Sequence, residues 1–272
     1  MKVRKSAVRC AVFLLFVAPV GAEAQSLWLP REPEPWIAVE GLKPFFDGGG
    51  LSFFSTAWFV SGRFRAGNTV VLVGEVPFAF ASFDDPFFRS ESDAAVGNIY
   101  FGAEFGSQSS PAFLELGVRA PLSPENTAAF PVGTFTDLDR WEAFVPNLVP
   151  VSLLGNYYSV SEHGLVLRFR GGGIVWVPTE TGPDTELLAL LNAQVGFQRP
   201  DAKFGVLGGL TSRITVTTSG SFSERSAFQA GANGWFALGR VRPGILFLVP
   251  LDSELRDIVS LTVGLNAQIL LN

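Results

Sequence analysis

Large apolar residues recur at every second position through most of this chain, the period expected of β-strands whose two faces meet different surroundings. The clearest run is 68–81, where Val70, Leu72, Val76, Phe78 and Phe80 share one face and Val71, Val73, Glu75, Ala79 and Ala81 the other. The run before it sets Phe54, Thr56, Trp58, Val60 and Phe64 against Ser55, Ala57, Ser61, Arg63 and Arg65. Ala66-Gly67-Asn68, between the two, is a tight hairpin signal.

The same alternation returns along the chain. Ile99, Phe101 and Phe105 oppose Tyr100 and Glu104, and Leu114, Leu116 and Val118 oppose Glu115 and Arg119. Leu165, Leu167, Phe169 and Val175 oppose Arg168 and Arg170, while Leu191, Val195 and Phe197 oppose Asn192 and Gln194. Phe228 and Phe236 oppose Gln229 and Asn233, and Val259 to Leu271 oppose Ser260, Thr262, Asn266 and Gln268. Weaker strands are predicted at 36–46, 150–161, 203–216 and 241–251, which brings the total to twelve.

The connections alternate as well. Short ones fall at 66–68, 107–111, 162–164, 199–202 and 239–240, and longer ones at 82–96, 123–149, 178–185, 217–223 and 252–257. The brief Asp47-Gly48-Gly49-Gly50 connection interrupts this order on the long-loop side. Short turns at one end and long loops at the other, with an even strand number, define an up-and-down barrel with both termini at the short-turn end. The expected fold is all-β: a single antiparallel transmembrane β-barrel of about twelve strands, with short periplasmic turns and longer extracellular loops.

Composition strengthens that choice. Mean hydropathy is +0.31 and only 17% of residues are charged, yet past residue 24 no apolar run approaches the length of a membrane-spanning helix. Backbone groups in hydrocarbon must pair internally, and a closed barrel achieves this with apolar residues on one face only. Lys2, Arg4, Lys5 and Arg9, then the apolar run 10–20, then Ala22-Glu23-Ala24 have the layout of a cleaved signal peptide. The expected organisation is therefore a signal peptide at 1–24, a periplasmic N-terminal segment at 25–35 and the barrel at 36–272, in the outer membrane of a Gram-negative bacterium. Cys10, the single cysteine, falls inside the leader, so the mature chain has no disulfide framework.

The leader carries four basic residues and one acid, and its removal takes the formal charge from −5 to −8. That balance argues against nucleic acid as a partner. The expected partners are the lipid bilayer and lipopolysaccharide, the barrel-assembly machinery during biogenesis, and small solutes.

Candidate chemistry lies on the inward faces. With the large apolar side turned to lipid, Arg63, Arg65, Glu75, Glu104, Glu115, Arg119, Arg168, Arg170 and Arg242 point into the lumen. Two readings follow: a wet, charged constriction that selects solutes, or an Arg–Glu ladder that fills a narrow barrel, since charges in a dry lumen must be paired. In the loop 123–149, Leu138, Trp141 and Val145 recur at helical spacing, which predicts a short helix at the surface or folded inward, acting as a lid or simply covering the rim. Phe64, Phe78, Phe105, Phe113, Phe197 and Phe236 sit near strand ends where interfacial aromatics belong, while Trp176 and Trp235 carry the inward parity. His163, the only histidine, sits beside Glu162 and Gly164 in a predicted turn on the periplasmic side, whereas a membrane-embedded lipase needs its constellation near the outer leaflet, so no catalytic residue, metal or cofactor is expected. Asp84-Asp85 and the neighbouring Phe87 and Phe88 read as loop residues.

The stretch Gly97-Asn98-Ile99-Tyr100-Phe101-Gly102-Ala103-Glu104-Phe105, followed after a turn by Leu114-Glu115-Leu116-Gly117-Val118-Arg119-Ala120-Pro121, resembles the porin-like family of the meta pathway of phenol degradation. That resemblance implies passage of small, often aromatic, solutes across the outer membrane. It spans about a tenth of the chain, and Leu270-Leu271-Asn272 departs from barrels that end on an aromatic residue. The first functional expectation is a porin-like channel or passive transporter. A non-conducting barrel with a structural or envelope-assembly role, its lumen plugged by charge, is the alternative, and a lipid-modifying outer-membrane enzyme stands third.

Overall fold

Period-two alternation becomes a closed sheet in the computed structural model, which describes residues 27–47, 55–83, 91–107 and 110–271. The strands are β1 (Trp36–Phe46), β2 (Thr56–Arg65), β3 (Val70–Phe83), β4 (Glu91–Val96), β5 (Tyr100–Phe105), β6 (Ala112–Arg119) and β7 (Leu148–Val160). They continue with β8 (Leu165–Pro178), β9 (Glu186–Gln198), β10 (Phe204–Thr215), β11 (Ser226–Phe236), β12 (Val241–Pro250) and β13 (Val259–Leu270). Every strand pairing is antiparallel, and β1 closes the ring on β13 from Trp36↔Leu270 to Pro44↔Thr262.

The barrel has twelve staves because β4 and β5 lie end to end along one long neighbour. β3 pairs with β5 over Val70–Glu75 and with β4 over Phe78–Phe83. Between them the Gly97 amide still donates to the Pro77 carbonyl at 2.9 Å, which keeps the two in line. The region 82–96, expected as a loop, thus contains a strand. Its sequence Glu-Ser-Asp-Ala-Ala-Val shows little apolar alternation because it extends the wall toward the rim, where backbone pairing rather than an apolar face holds it.

The weakly patterned strands form where expected. β1 spans 36–46, and β7 begins two residues earlier than predicted, at Leu148. Short helices cap the loop end: α1 (Ala129–Thr134), α2 (Phe222–Arg225) and α3 (Ser253–Arg256), with a 3-10 turn at Leu138–Ala143. Among the described residues no helix is long and apolar enough to cross a membrane, which says nothing about crossing by strands. The predicted leader 1–24 with Cys10, the glycines 48–50, Phe54, Asp84, Asp85, Phe87, Phe88 and Asn272 lie outside the described residues.

Parity sorts side chains as hydrocarbon demands. Leu265, Leu153 and Val195 on the outer face are more than half exposed, whereas Glu75 and Glu115 on the inner face are at 2% and 0%. Phe113 departs from its expected place in an interfacial girdle. It shares the inward parity of Glu115 and lies beneath the Arg31 guanidinium, 3.6 Å from its ring centre.

Leu153, in mid-β7 opposite Leu116, tests the outer belt. Leu153→Arg is expected to cost about 2–4 kcal/mol in equilibrium unfolding from lipid vesicles, against about 0–1 kcal/mol for Leu238→Arg beside a short turn. Equal costs at the two depths would mean that the belt does not face hydrocarbon.

Candidate functional site

All nine inward candidates are in the lumen or at its mouth, and eight are buried; Arg65, at the end of β2, is exposed. They meet one another in part. Arg119 Nη2 lies 2.9 Å from Glu75, Arg63 Nη2 3.0 Å from Glu104, and Arg170 Nη2 3.0 Å from Glu115. These are the rungs of an Arg–Glu ladder. Most of the remaining bonding capacity goes to two chain segments inserted into the barrel from opposite ends.

The first insert enters from the short-turn end. Residues 27–33, expected as a periplasmic segment ahead of the barrel, run inside it, with Leu27, Trp28 and Leu29 at 1%, 0% and 1% exposure. The segment lacks secondary structure, so wall side chains satisfy its carbonyls, as burial of a backbone acceptor requires. Arg168 donates to the carbonyls of Leu27 and Leu29, Asn233 to Trp28, Gln268 to Pro30, Arg63 to Glu32 and Arg65 to Pro33. Arg31 forks onto Glu104, and Arg242 pairs with Glu32. Gly231 on β11 clears the space for the Trp28 ring, which a Cβ there would strike.

The second insert descends from the loop end, and Asn98 holds its entry and exit. Asn98 Oδ1 accepts from the amides of Leu122 and Ser123 at 2.9 and 2.8 Å. Its Nδ2 donates to the carbonyls of Glu142 and Val145, and its backbone amide to Ala143. A Cβ at Gly97 would collide with that Ala143 carbonyl, which explains the Gly-Asn pair at this break in the wall. At the rim, Asp93 accepts from the Thr127 hydroxyl and the Ala128 amide ahead of α1.

Arg140, on the 3-10 turn, is the centre of the second insert. Its Nη1 lies 2.8 Å from Glu40 and 3.1 Å from Glu75, its Nε 2.8 Å from Asp137, and its guanidinium carbon 3.8 Å from the Phe59 ring centre. Asp139 takes Arg170 at 3.1 Å and Asn192 at 2.8 Å, and Glu142 takes Arg213 at 2.5 Å. Trp176 stands edge-on to Trp141 at 6.2 Å, and Trp235 is buried, both on the inward side as parity required. Beside the charges, Phe144 packs edge-on against Phe59 at 6.0 Å. These rings belong to one apolar cluster that also holds Trp28, so both inserts reach the same core. Between Glu75, Arg119, Arg140 and Arg170 the remaining cavity is about 20 Å³, room for a single water.

The sequence reading singled out the wall charges but not their partners. Glu40 shares the inward parity of Trp36, Ala38 and Leu42 and was legible in principle; Arg213 is on the inward face of the weakly patterned β10. Asp137, Asp139, Arg140 and Glu142 lay within the segment predicted as a short helix, and the structure places it inward. His163 is exposed in the turn between β7 and β8.

No protein-family model matches the chain, and no curated protein matches it. Among solved structures it is similar to the β-domain of the Bordetella autotransporter BrkA, at 11% identity over 88% of this chain and 99% of that one, with a TM-score of 0.47. LpxR from Salmonella typhimurium gives 9% identity over 87% and 100%, with a TM-score of 0.48. A bacterial polysaccharide outer membrane secretin gives 10% over 89% and 100%, with a TM-score of 0.46. The likeness concerns the barrel fold alone.

Two substitutions probe how the second insert is held. Arg140→Met strands the carboxylates of Glu40 and Asp137 without their guanidinium, at a cost of about 3–5 kcal/mol. The insert is then expected to leave the lumen and become cleavable by protease added to the folded protein; unchanged resistance would refute the bridging role. Asn98→Ala is expected to cost about 2–3 kcal/mol in equilibrium unfolding, and Asn98→Asp, which keeps the acceptor for Leu122 and Ser123, less.

Proposed function

We propose that this chain is an outer-membrane β-barrel that is sealed in its resting state and serves the envelope as a non-conducting barrel. The observation that carries this reading is the set of bridges from Arg140 to Glu40 on β1 and Glu75 on β3, and from Asp139 to Arg170 on β8 and Glu142 to Arg213 on β10, which ties a loop-end insert to both sides of the lumen. An open porin keeps its charged wall groups hydrated. Here all but Arg65 are buried and engaged by protein partners, and an apolar cluster beside them excludes water.

The porin-like expectation differs from this reading in one physical respect. Passage of a solute requires both inserts to leave, each breaking several charge-assisted hydrogen bonds worth about 1.5–3 kcal/mol apiece. A lipid-modifying enzyme gains no support from His163, which lies on an exposed turn at the end opposite the long loops.

The test is solute flux. Liposomes carrying the refolded full-length chain are expected to show no swelling with sugars of graded size and no steady conductance in planar bilayers. Arg140→Met combined with Arg168→Met, which also withdraws the donor to the Leu27 and Leu29 carbonyls and so frees both inserts, should swell at least partly. Swelling of the unaltered protein with a sharp size cut-off would overturn the sealed reading and restore a channel.

A further inference from the structure

The second insert leaves a space beside it at the loop end. A cleft of about 440 Å³ opens there between α2 and α3, over the ends of β9, β10 and β11, with Trp141 of the insert in its lining. The volume falls in the lower half of the range for small-molecule sites. Of the groups that bridge the insert to the wall, Arg213 alone also lines this cleft.

Elsewhere in the lumen buried charges meet in pairs, whereas the charges of this cleft stand apart. Arg225, the last residue of α2, makes no side-chain hydrogen bond or ion pair among the described residues, and its Nε is shielded from solvent. Its guanidinium stays beyond 4.0 Å of all three acids in the lining, Glu224, Asp252 and Glu254. Glu254 on α3 has no side-chain partner among the described residues either. Asp252 takes the Phe228 amide on one oxygen at 2.5 Å and keeps the other. Arg213, 2% exposed, is fixed by Glu142 and by the Asp139 carbonyl, yet its buried Nε–H has no acceptor among the described residues. Trp141, half-buried and held by its perpendicular contact with Trp176, supplies the aromatic surface.

We propose that this cleft binds a neutral saccharide, with a sugar ring against Trp141 and its hydroxyls between Arg225 and the carboxylates of Glu254 and Asp252. A hydroxyl donates and accepts at once, so a polyol serves a guanidinium and a carboxylate held too far apart to serve each other. A free anion would face three acids, and a cation would face Arg213 and Arg225; a neutral polyol meets neither penalty. The C–H face of a pyranose is apolar and suits the indole, while its rim of hydroxyls suits the charged groups around it. The site rests on the second insert remaining in the lumen, as the sealed reading holds, but sugar binding and solute flux are measured separately and fail separately.

The experiment is calorimetric titration of the refolded full-length chain in phosphocholine micelles, which carry no sugar headgroup. The probes are glucose, N-acetylglucosamine and maltose, with acetate and choline as ionic comparators. Saturable one-to-one binding of at least one sugar is expected, with a Kd of about 0.1–5 mM, and none of acetate or choline. Arg225→Gln and Glu254→Gln should each weaken it about fivefold or more, and Trp141→Leu about tenfold. Arg225 and Glu254 take no part in the bridges to the wall, so both variants are expected to keep the heat-modifiable mobility of the folded barrel. His163→Ala, at the opposite end, should bind as the unaltered protein does. A repeat in nanodiscs identifies the source. Competition by added lipopolysaccharide assigns the sugar to an envelope glycolipid, and its absence assigns it to a free saccharide; either supports the site. Equal competition by phosphatidylglycerol would overturn the sugar assignment. So would binding of acetate or choline in place of the sugars, no sugar binding up to about 50 mM, or sugar binding that survives Arg225→Gln and Glu254→Gln together.

Discussion

Hydrocarbon offers no partner to a backbone amide, and the rest of this structure follows from that constraint. A sheet in lipid must close, and closure here pairs the first strand with the last. Closure also commits alternate residues to the outside, so every polar group of a strand is driven inward. Twelve strands enclose a lumen wide enough to leave those inward charges unpaired across most of the section. The chain meets this by feeding itself into its own interior from both ends. The buried arginines of the wall thus find backbone carbonyls on one side and carboxylates of the descending loop on the other.

The two inserts use different chemistry to the same end. The lower one brings carbonyls and little charge of its own, and suits a wall rich in arginine. The upper one brings Asp139 and Glu142 to the arginines at its level, and Arg140, held by its neighbour Asp137, to Glu40 and Glu75. Electrostatic matching by level gives each segment one register, since sliding either by a residue would face like charges with like. A buried ionic network of this kind adds little net stability over an apolar filling but penalises every wrong arrangement heavily.

How far this was legible depends on the range of the interaction. The outward and inward parity of β3, β8 and β13 could be read from side-chain period alone, because each strand meets lipid on one face. Glu40 was hidden only by the modest alternation of 36–46. The lower insert was not legible: Leu27-Trp28-Leu29-Pro30-Arg31-Glu32-Pro33 has neither period nor turn signal, and its conformation is set by Arg168, Asn233 and Gln268, more than a hundred residues away. The upper insert announced itself by a helical spacing, yet its direction was decided by Asn98, whose role needs the break between β4 and β5 to exist. Gly97-Asn98 drew notice as a family resemblance; its physical reason is the carbonyl of Ala143.

The join between the lower insert and the barrel seam has a mechanical side. Pro35, where the insert ends, accepts a hydrogen bond from the Leu271 amide, and Trp36 immediately begins the strand that closes the ring on β13. Tension drawn along the N-terminal arm is therefore delivered lengthwise to that seam. Antiparallel strands loaded in this direction share the force among all their rungs at once, rather than opening one after another like a zip. A pull from the periplasm would strip the arm from its carbonyl contacts well before it parted the ring, making the arm the fuse and the seam the frame.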